Sequence, residues 1–171
     1  MAVLGLRRVV AIVVPLLVSV LTAACDGPAD PSGLQRIEVR GEIWAFEVAA
    51  DDASRTRGLG GRESLPPGQG MLFVFPELGV RRFWMYDCLM PIDLVFLDDL
   101  GTITAVHEMP FEPPRAEGET ENEYASRLPR YSSRFPVRFA LEFPAGTIDR
   151  LGLEPNTRVE LDGPRLKSLV R

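Results

Sequence analysis

The segment 92–97 places the strongest constraint on what this chain can fold into. It has the sequence IDLVFL, in which every residue except Asp93 is apolar. Alternation of polar and apolar residues is typical of a strand with one face in water, whereas a continuous apolar run indicates a strand buried on both faces. We therefore predict that 92–97 is a central strand of a covered sheet and that the Asp93 carboxyl group is buried with it.

Further short apolar or aromatic runs lie close to this segment on both sides. They predict strands over 34–39, 42–48, 71–75, 82–86, 102–107, 137–143 and 158–161. The first two strands would form a hairpin around Arg40-Gly41, with Ile37 opposite Trp44. Cap and stop residues predict short helices over 53–57 and 147–151, and the acidic stretch 112–130 indicates a long surface excursion. The expected fold is mainly β: one small barrel- or sandwich-like domain over 34–171, with one or two short helices.

The N-terminus carries the pattern of an export signal. Two arginines precede an uncharged run over 9–24, and two alanines stand before Cys25. The stretch LTAAC resembles the lipobox of bacterial lipoproteins, in which the cysteine thiol receives a diacylglyceryl group and becomes the new N-terminus. We expect a signal peptide over 1–24, lipidation of Cys25, and a flexible tether over 25–33. The domain would be exported and held at a membrane on its periplasmic or extracellular side, although an uncleaved signal anchor and a plain cleaved signal are alternatives.

The net charge and the cysteine content limit the binding partners and the disulfide pairing that we expect for this chain. The net charge of −5 argues against nonspecific nucleic-acid binding, which depends on neutralising phosphates, and against electrostatic attraction to anionic lipids. The chain has 2 cysteines, Cys25 and Cys88. Lipidation of Cys25 would leave Cys88 as a lone, partly buried structural thiol, whereas a Cys25–Cys88 disulfide would require a free Cys25.

Three segments stand in a distinctive order: RTRGLGGRESLP at 55–66, GMLFVF at 70–75 and FWMYDCLMPIDLVFLDDLGTI at 83–103. Tyr131 and the stretch ALEFPAGTIDRLGL at 140–153 follow them. This arrangement resembles the DUF192 family, small bacterial and archaeal proteins that are often exported, over roughly residues 35–162. The resemblance implies a mainly β fold and no established activity.

The resemblance also locates the family's recurring positions on this chain. The family's arginine pattern falls on Arg55 and Arg62, its aromatic–methionine step on Trp84 and Met85, and its acidic strand position on Asp93. These five residues are the predicted ligand-binding set.

The chain departs from the family pattern at Gly60, where relatives usually carry methionine, and at Asp87 and Cys88, where they tend to have an asparagine–threonine pair. If these positions line a cleft, the ligand of this chain would differ from that of its relatives.

Physical chemistry gives the same residues two interpretations. A buried carboxylate is costly unless it is paired, and the guanidinium groups of Arg55 and Arg62 are suitable partners for Asp93. In one interpretation, an ion pair between Asp93 and these arginines holds a loop onto the sheet. In the other, the arginines face a cleft and bind an anionic or polar ligand. A tryptophan such as Trp84 beside these charges suits a sugar or a peptide.

These patterns favour a noncatalytic envelope binding module for a small polar ligand, glycan or peptide. A hydrolase that uses Asp93 or His107 is an alternative, as is a purely structural assembly partner. The sequence carries no GxSxG, P-loop or GxGxxG motif, and its methionines and single histidine follow no metal-ligand spacing. We expect no cofactor, no metal and no nucleic-acid partner.

Overall fold

The computed structural model of the chain describes residues 33–171. The predicted signal peptide, the lipidated Cys25 and nearly all of the tether lie outside the described residues. Within residues 33–171 there are eight strands: β1 (Gln35–Val39), β2 (Glu42–Ala49), β3 (Gln69–Gly79), β4 (Arg82–Phe83), β5 (Ile92–Leu97), β6 (Ile103–Met109), β7 (Tyr131–Ser132) and β8 (Val137–Pro144). The same residues form four short helices: α1 (Asp52–Arg57), α2 (Glu121–Arg127), α3 (Thr147–Leu151) and α4 (Gly163–Lys167).

Six of the strands form one mixed sheet in the order β1-β2-β3-β8-β5-β6. The β2–β3 pair is parallel, and the other neighbouring pairs are antiparallel. β4 and β7 form a separate two-stranded sheet. Because β1 and β6 are edge strands with one partner each, the sheet does not close. The mainly β prediction is confirmed in its sandwich-like form.

The first hairpin forms as predicted. Ile37 lies opposite Trp44 in the β1–β2 register. The turn residues Arg40 and Gly41 both have positive φ, 53° and 84°. A two-residue turn with both central residues at positive φ follows the right-handed twist of the strands it joins, which sets this register.

The large sheet is covered on both faces, so it separates two apolar clusters. We call them the α3-face cluster, which includes Leu72, Val95 and Phe139, and the cleft-face cluster, which includes Phe73 and Phe96. Neighbouring residues of one strand enter opposite clusters because side chains alternate along a strand. All six residues of β5 are buried, as the apolar run predicted.

Three predicted elements differ from the structure. The excursion over 112–130 contains the helix α2, which begins at a capping box of Thr120 and Glu123 and buries Tyr124. The spacing Thr-x-x-Glu is the sequence signal that predicts such a helix start. The predicted strand over 82–86 is only the two-residue β4, and the predicted strand over 158–161 is wrong, since it contributes an isolated bridge between Thr102 and Arg158. Across residues 33–171, no helix is both long enough and apolar enough to span a bilayer.

Candidate functional site

Asp93 is buried as predicted, but its partners are backbone amides. Its side chain is on the α3 face of β5, and the residue is 1% exposed. Its Oδ2 accepts a hydrogen bond of 2.7 Å from the Ile148 N–H in the first turn of α3. The N-cap residue of α3, Gly146, has no side chain to cap the helix. Asp93 therefore caps α3 from a neighbouring strand.

The electrostatic balance at Asp93 agrees with this capping role. Burial raises the pKa of the Asp93 carboxyl group above its usual range, and hydrogen bonds from the amides of Ile148, Thr147 and Gly146 act against that rise. Hydrogen bonds from the backbone amides of α3 offset part of the free energy that burial of the Asp93 carboxyl group costs.

The expected pairing of Asp93 with Arg55 or Arg62 is wrong. Arg62 instead binds Glu47 with two hydrogen bonds of 2.5 and 2.7 Å. Arg55 donates to the Asp52 carboxylate at 2.6 Å and to the Val74 carbonyl at 2.9 Å. The reason is strand alternation, which turns Asp93 toward α3 while α1 and the loop after it cover the opposite face of the sheet.

A cleft of about 1240 Å³ opens on that opposite face. Its walls are α1 with the glycine turn after it, β4 with the segment after it, and α2. The floor is largely apolar and includes Phe73, Phe75 and Phe83, with Phe83 packed edge-on against Phe73 at 4.8 Å between ring centroids. Concave sites with an apolar floor and a few polar groups are typical of small-molecule binding.

Trp84 and Tyr86 form an aromatic side wall of the cleft. Their ring centroids are 5.2 Å apart, and Trp84 is 38% exposed. The Arg130 guanidinium lies 3.9 Å from the centroid of the Trp84 ring, which is a cation–π contact. The Tyr86 hydroxyl donates a hydrogen bond to the Glu121 carboxylate, which raises the pKa of Tyr86 to about 12. The wall is therefore tied to α2.

Hydrogen bonds join this wall to the other sides of the cleft. The Gly61 N–H donates to the Asp87 carbonyl at 2.8 Å, and the Asp87 N–H donates to the Tyr124 hydroxyl at 3.0 Å. Asp87 has a φ of 52°, so its backbone turns sharply between the two contacts. Because one residue bridges the glycine turn and α2, the three walls are held at fixed separations.

The predicted ligand-binding residues divide between the cleft and the rest of the fold. Arg55 and Trp84 line the cleft. Met85 is 0% exposed and belongs to the cleft-face cluster, so it supports the wall from behind. Arg62 is not among the lining residues, and Asp93 is on the other face of the sheet.

Glu142 is a site residue that the sequence analysis missed. It lies on β8 between Met71 of β3 and Leu94 of β5 in register, and it lines the floor of the cleft. Glu142 is 5% exposed, and its Oε2 has no hydrogen-bond partner in the described part of the chain. Burial raises the pKa of Glu142 to about 8, against the opposing effect of the Arg62 charge. A single acid between Leu141 and Phe143 was the available signal, of the same kind that identified Asp93.

Two further side chains of reactive types, Cys88 and His107, have few possible chemical roles here. Burial, together with the charges of Glu142 and Asp87, raises the pKa of the Cys88 thiol to about 12, so this buried cysteine stays protonated. His107 places Nε2 2.8 Å from the Ser132 carbonyl and packs against Phe96. The described residues contain no group of three or more metal-ligating side chains.

The three positions at which the chain departs from the family pattern, Gly60, Asp87 and Cys88, all line the cleft. The departures are therefore concentrated where a ligand would be contacted.

Two solved structures share this fold. A protein of Sinorhizobium meliloti 1021, provisionally assigned as a transcription regulator, is 32% identical, with a TM-score of 0.60 over 75% of this chain and 92% of that one. A protein of unknown function from Novosphingobium aromaticivorans DSM 12444 is 23% identical, with a TM-score of 0.55 over 75% of this chain and 83% of that one. No curated protein matches the chain. The profile of DUF192, a family described as an uncharacterized ACR, matches residues 35–161, which is more than half of the chain. The chain therefore belongs to the DUF192 family.

Proposed function

We propose that this protein is a cell-envelope lipoprotein whose domain is a noncatalytic binding module for a small polar ligand, glycan or peptide. The observation that carries the proposal is the cleft, which joins an apolar floor to polar side chains between walls held by hydrogen bonds. Such a combination suits a ligand with one apolar face and several hydrogen-bonding groups.

The chemistry of the cleft favours binding over catalysis. Its cysteine, Cys88, is kept in the unreactive thiol form by burial. Neither Asp93 nor His107, the residues of the hydrolase alternative, is among the lining residues. No observation on the described residues favours a hydrolase over a binding module.

The provisional assignment of the Sinorhizobium protein suggests a second function, transcription regulation. This chain has a net charge of −5, so its overall electrostatics would oppose rather than assist contact with a phosphate backbone. We therefore do not propose transcription regulation for this chain.

A thermal-shift screen tests the binding role. Residues 33–171 would be screened against sugars and short peptides, since a compound that binds only the folded state raises the unfolding temperature. Trp84→Ala should abolish the shift because it removes the exposed aromatic wall. Phe111→Ala is the matched control, since Phe111 is an aromatic residue 48% exposed and outside the cleft. Absence of any shift, or equal loss in both variants, would contradict the proposal.

The membrane anchor is tested separately with the full chain. Metabolic labelling with an alkyne fatty acid should label the wild-type chain and leave Cys25→Ser unlabelled and in the soluble fraction. Cys88→Ser is the control and should be labelled like the wild type. Equal labelling of both cysteine variants would contradict lipidation at Cys25.

A further inference from the structure

One oxygen of the buried carboxyl group at the floor of the cleft, Glu142 Oε2, has no hydrogen-bond partner among residues 33–171. Glu142 is flanked in register by Met71 and Leu94, and one of its oxygens makes no hydrogen bond. A buried polar group without a partner is destabilising, so each one in a folded protein calls for an explanation, and a ligand that completes its hydrogen bonds is one. The contrast with Asp93 is informative, since the other buried carboxyl group of this sheet has a helix amide as its partner.

We infer, resting on the binding role proposed above, that Glu142 is the specificity-determining residue of the cleft and that its ligand is an uncharged carbohydrate. A carbohydrate hydroxyl both donates and accepts, so it satisfies the Glu142 carboxyl group in either protonation state. Rotation about the last side-chain torsion brings either oxygen toward the cleft at little cost. Trp84 is 38% exposed, so the part of its ring that Arg130 does not cover offers an apolar surface to the C–H face of a sugar.

The charges of the cleft argue against an ionic ligand. Arg55 is bound to Asp52, and Arg81 donates to the Glu77 carbonyl at 2.6 Å while its guanidinium lies 4.4 Å from the centroid of the Phe75 ring. Two more arginines, Arg57 and Arg82, line the cleft as solvent-exposed residues. An ion that reached the buried floor would still be desolvated against phenylalanine rings. An uncharged ligand avoids that cost.

The position of the cleft argues against an extended peptide. It lies over the face of the central strands β3 and β8, both of which already have a neighbour on each side. A peptide that binds by strand addition needs a free sheet edge for its backbone. The strands of the large sheet beneath the cleft offer none, and the free edge of β4 in the cleft wall is only 2 residues long. The volume of about 1240 Å³ exceeds the several hundred Å³ typical of small-ligand sites, so there is space for more than one sugar ring.

The test uses calorimetric titration of the full chain with three β-1,4-linked trimers of glucose, glucosamine and glucuronate, which differ in charge. We expect the neutral trimer to bind at least tenfold more tightly than either charged one. Glu142→Gln should keep the affinity within about threefold because an amide also donates and accepts. Glu142→Leu should weaken binding about tenfold or more, as expected for the loss of a buried hydrogen bond. Glu108→Leu is the matched control, since this exposed glutamate lies outside the cleft and should bind like wild type.

Stability of the same variants separates a ligand-binding role from a structural one. Glu142→Leu should unfold at the same temperature as wild type or a higher one, because it removes a buried carboxyl group with an oxygen that makes no hydrogen bond. A large loss of stability in Glu142→Leu, unchanged binding in it, or tighter binding of a charged trimer would each overturn the inference. If no trimer binds but a peptide or other compound stabilises the domain through Trp84, the inference fails and the binding role stands. If nothing binds, both fail.

Discussion

Replacing Glu142 with glutamine should change how the stability of the domain depends on pH. Glutamine has nearly the same size and shape as glutamate but does not titrate. In the folded chain, burial raises the pKa of Glu142 from 4.5 to about 8. The unfolded chain therefore releases this proton at a lower pH than the folded chain does, and every rise in pH between the two values favours unfolding.

The magnitude follows from the two pKa values. The contribution of protonated Glu142 to the free energy of unfolding is fully present below pH 4.5 and is lost progressively as the pH rises to about 8. Each pH unit well inside this window costs about 1.4 kcal/mol. Between pH 5 and pH 8, the wild type should therefore lose about 3 to 4 kcal/mol relative to Glu142→Gln. That is a large fraction of the roughly 5–15 kcal/mol by which small domains are stable.

Urea denaturation of both proteins at pH 5, 6, 7 and 8 measures this difference. Asp93 also has a raised pKa, but it is present in both proteins and so cancels in the comparison. The free energies of unfolding should converge near pH 5 and diverge steadily toward pH 8, with unchanged urea dependence. Parallel curves would refute the reasoning, because they would mean that the Glu142 carboxyl group ionises as easily in the folded chain as in the unfolded one.

Three further substitutions or reagents test the surrounding structure. Asp93→Ala should lower the free energy of unfolding by about 2–3 kcal/mol in urea denaturation, because the Ile148 amide loses its acceptor; a cost below about 0.5 kcal/mol would contradict the capping role. Cys88 in residues 33–171 should resist a chromogenic disulfide reagent at pH 7.5 and react only with unfolding, and a fast stoichiometric reaction in the folded domain would contradict its burial. Arg62→Ala should cost only about 1 kcal/mol or less, because the Arg62–Glu47 pair is partly exposed; collapse of the fold would contradict this assignment.

Local patterns in the sequence predicted much of this fold. The apolar run at β5 predicted a central strand buried on both faces, and Arg40-Gly41 predicted the β1–β2 register. The helix α1 begins at the predicted cap, where Asp51 and Ser54 form a capping box. These features depend on residues that are neighbours along the chain, so the sequence contains the physical information that decides them.

The candidate site was predicted only in part. Arg55 and Trp84 line the cleft, but Arg62, Met85 and Asp93 do not. Glu142 was overlooked, although it interrupts an apolar strand in the same way as Asp93 does. The sequence marked both acids as costly to bury and could not indicate which one would receive a partner from the fold.

The sequence by itself determined that a covered, mainly β sheet would form and that a carboxyl group would be buried within it. Tertiary structure decided which hydrogen-bond donors each carboxyl group meets. Side chains alternate between the two faces of a strand, and segments distant in the chain pack on one face or the other. The first turn of α3 donates a hydrogen bond to Asp93. In contrast, α1, the segment around Trp84 and α2 form the walls of the cleft that Glu142 lines, and Glu142 Oε2 receives no hydrogen bond from residues 33–171. That choice depends on packing between residues far apart in the chain, where local sequence patterns carry no information.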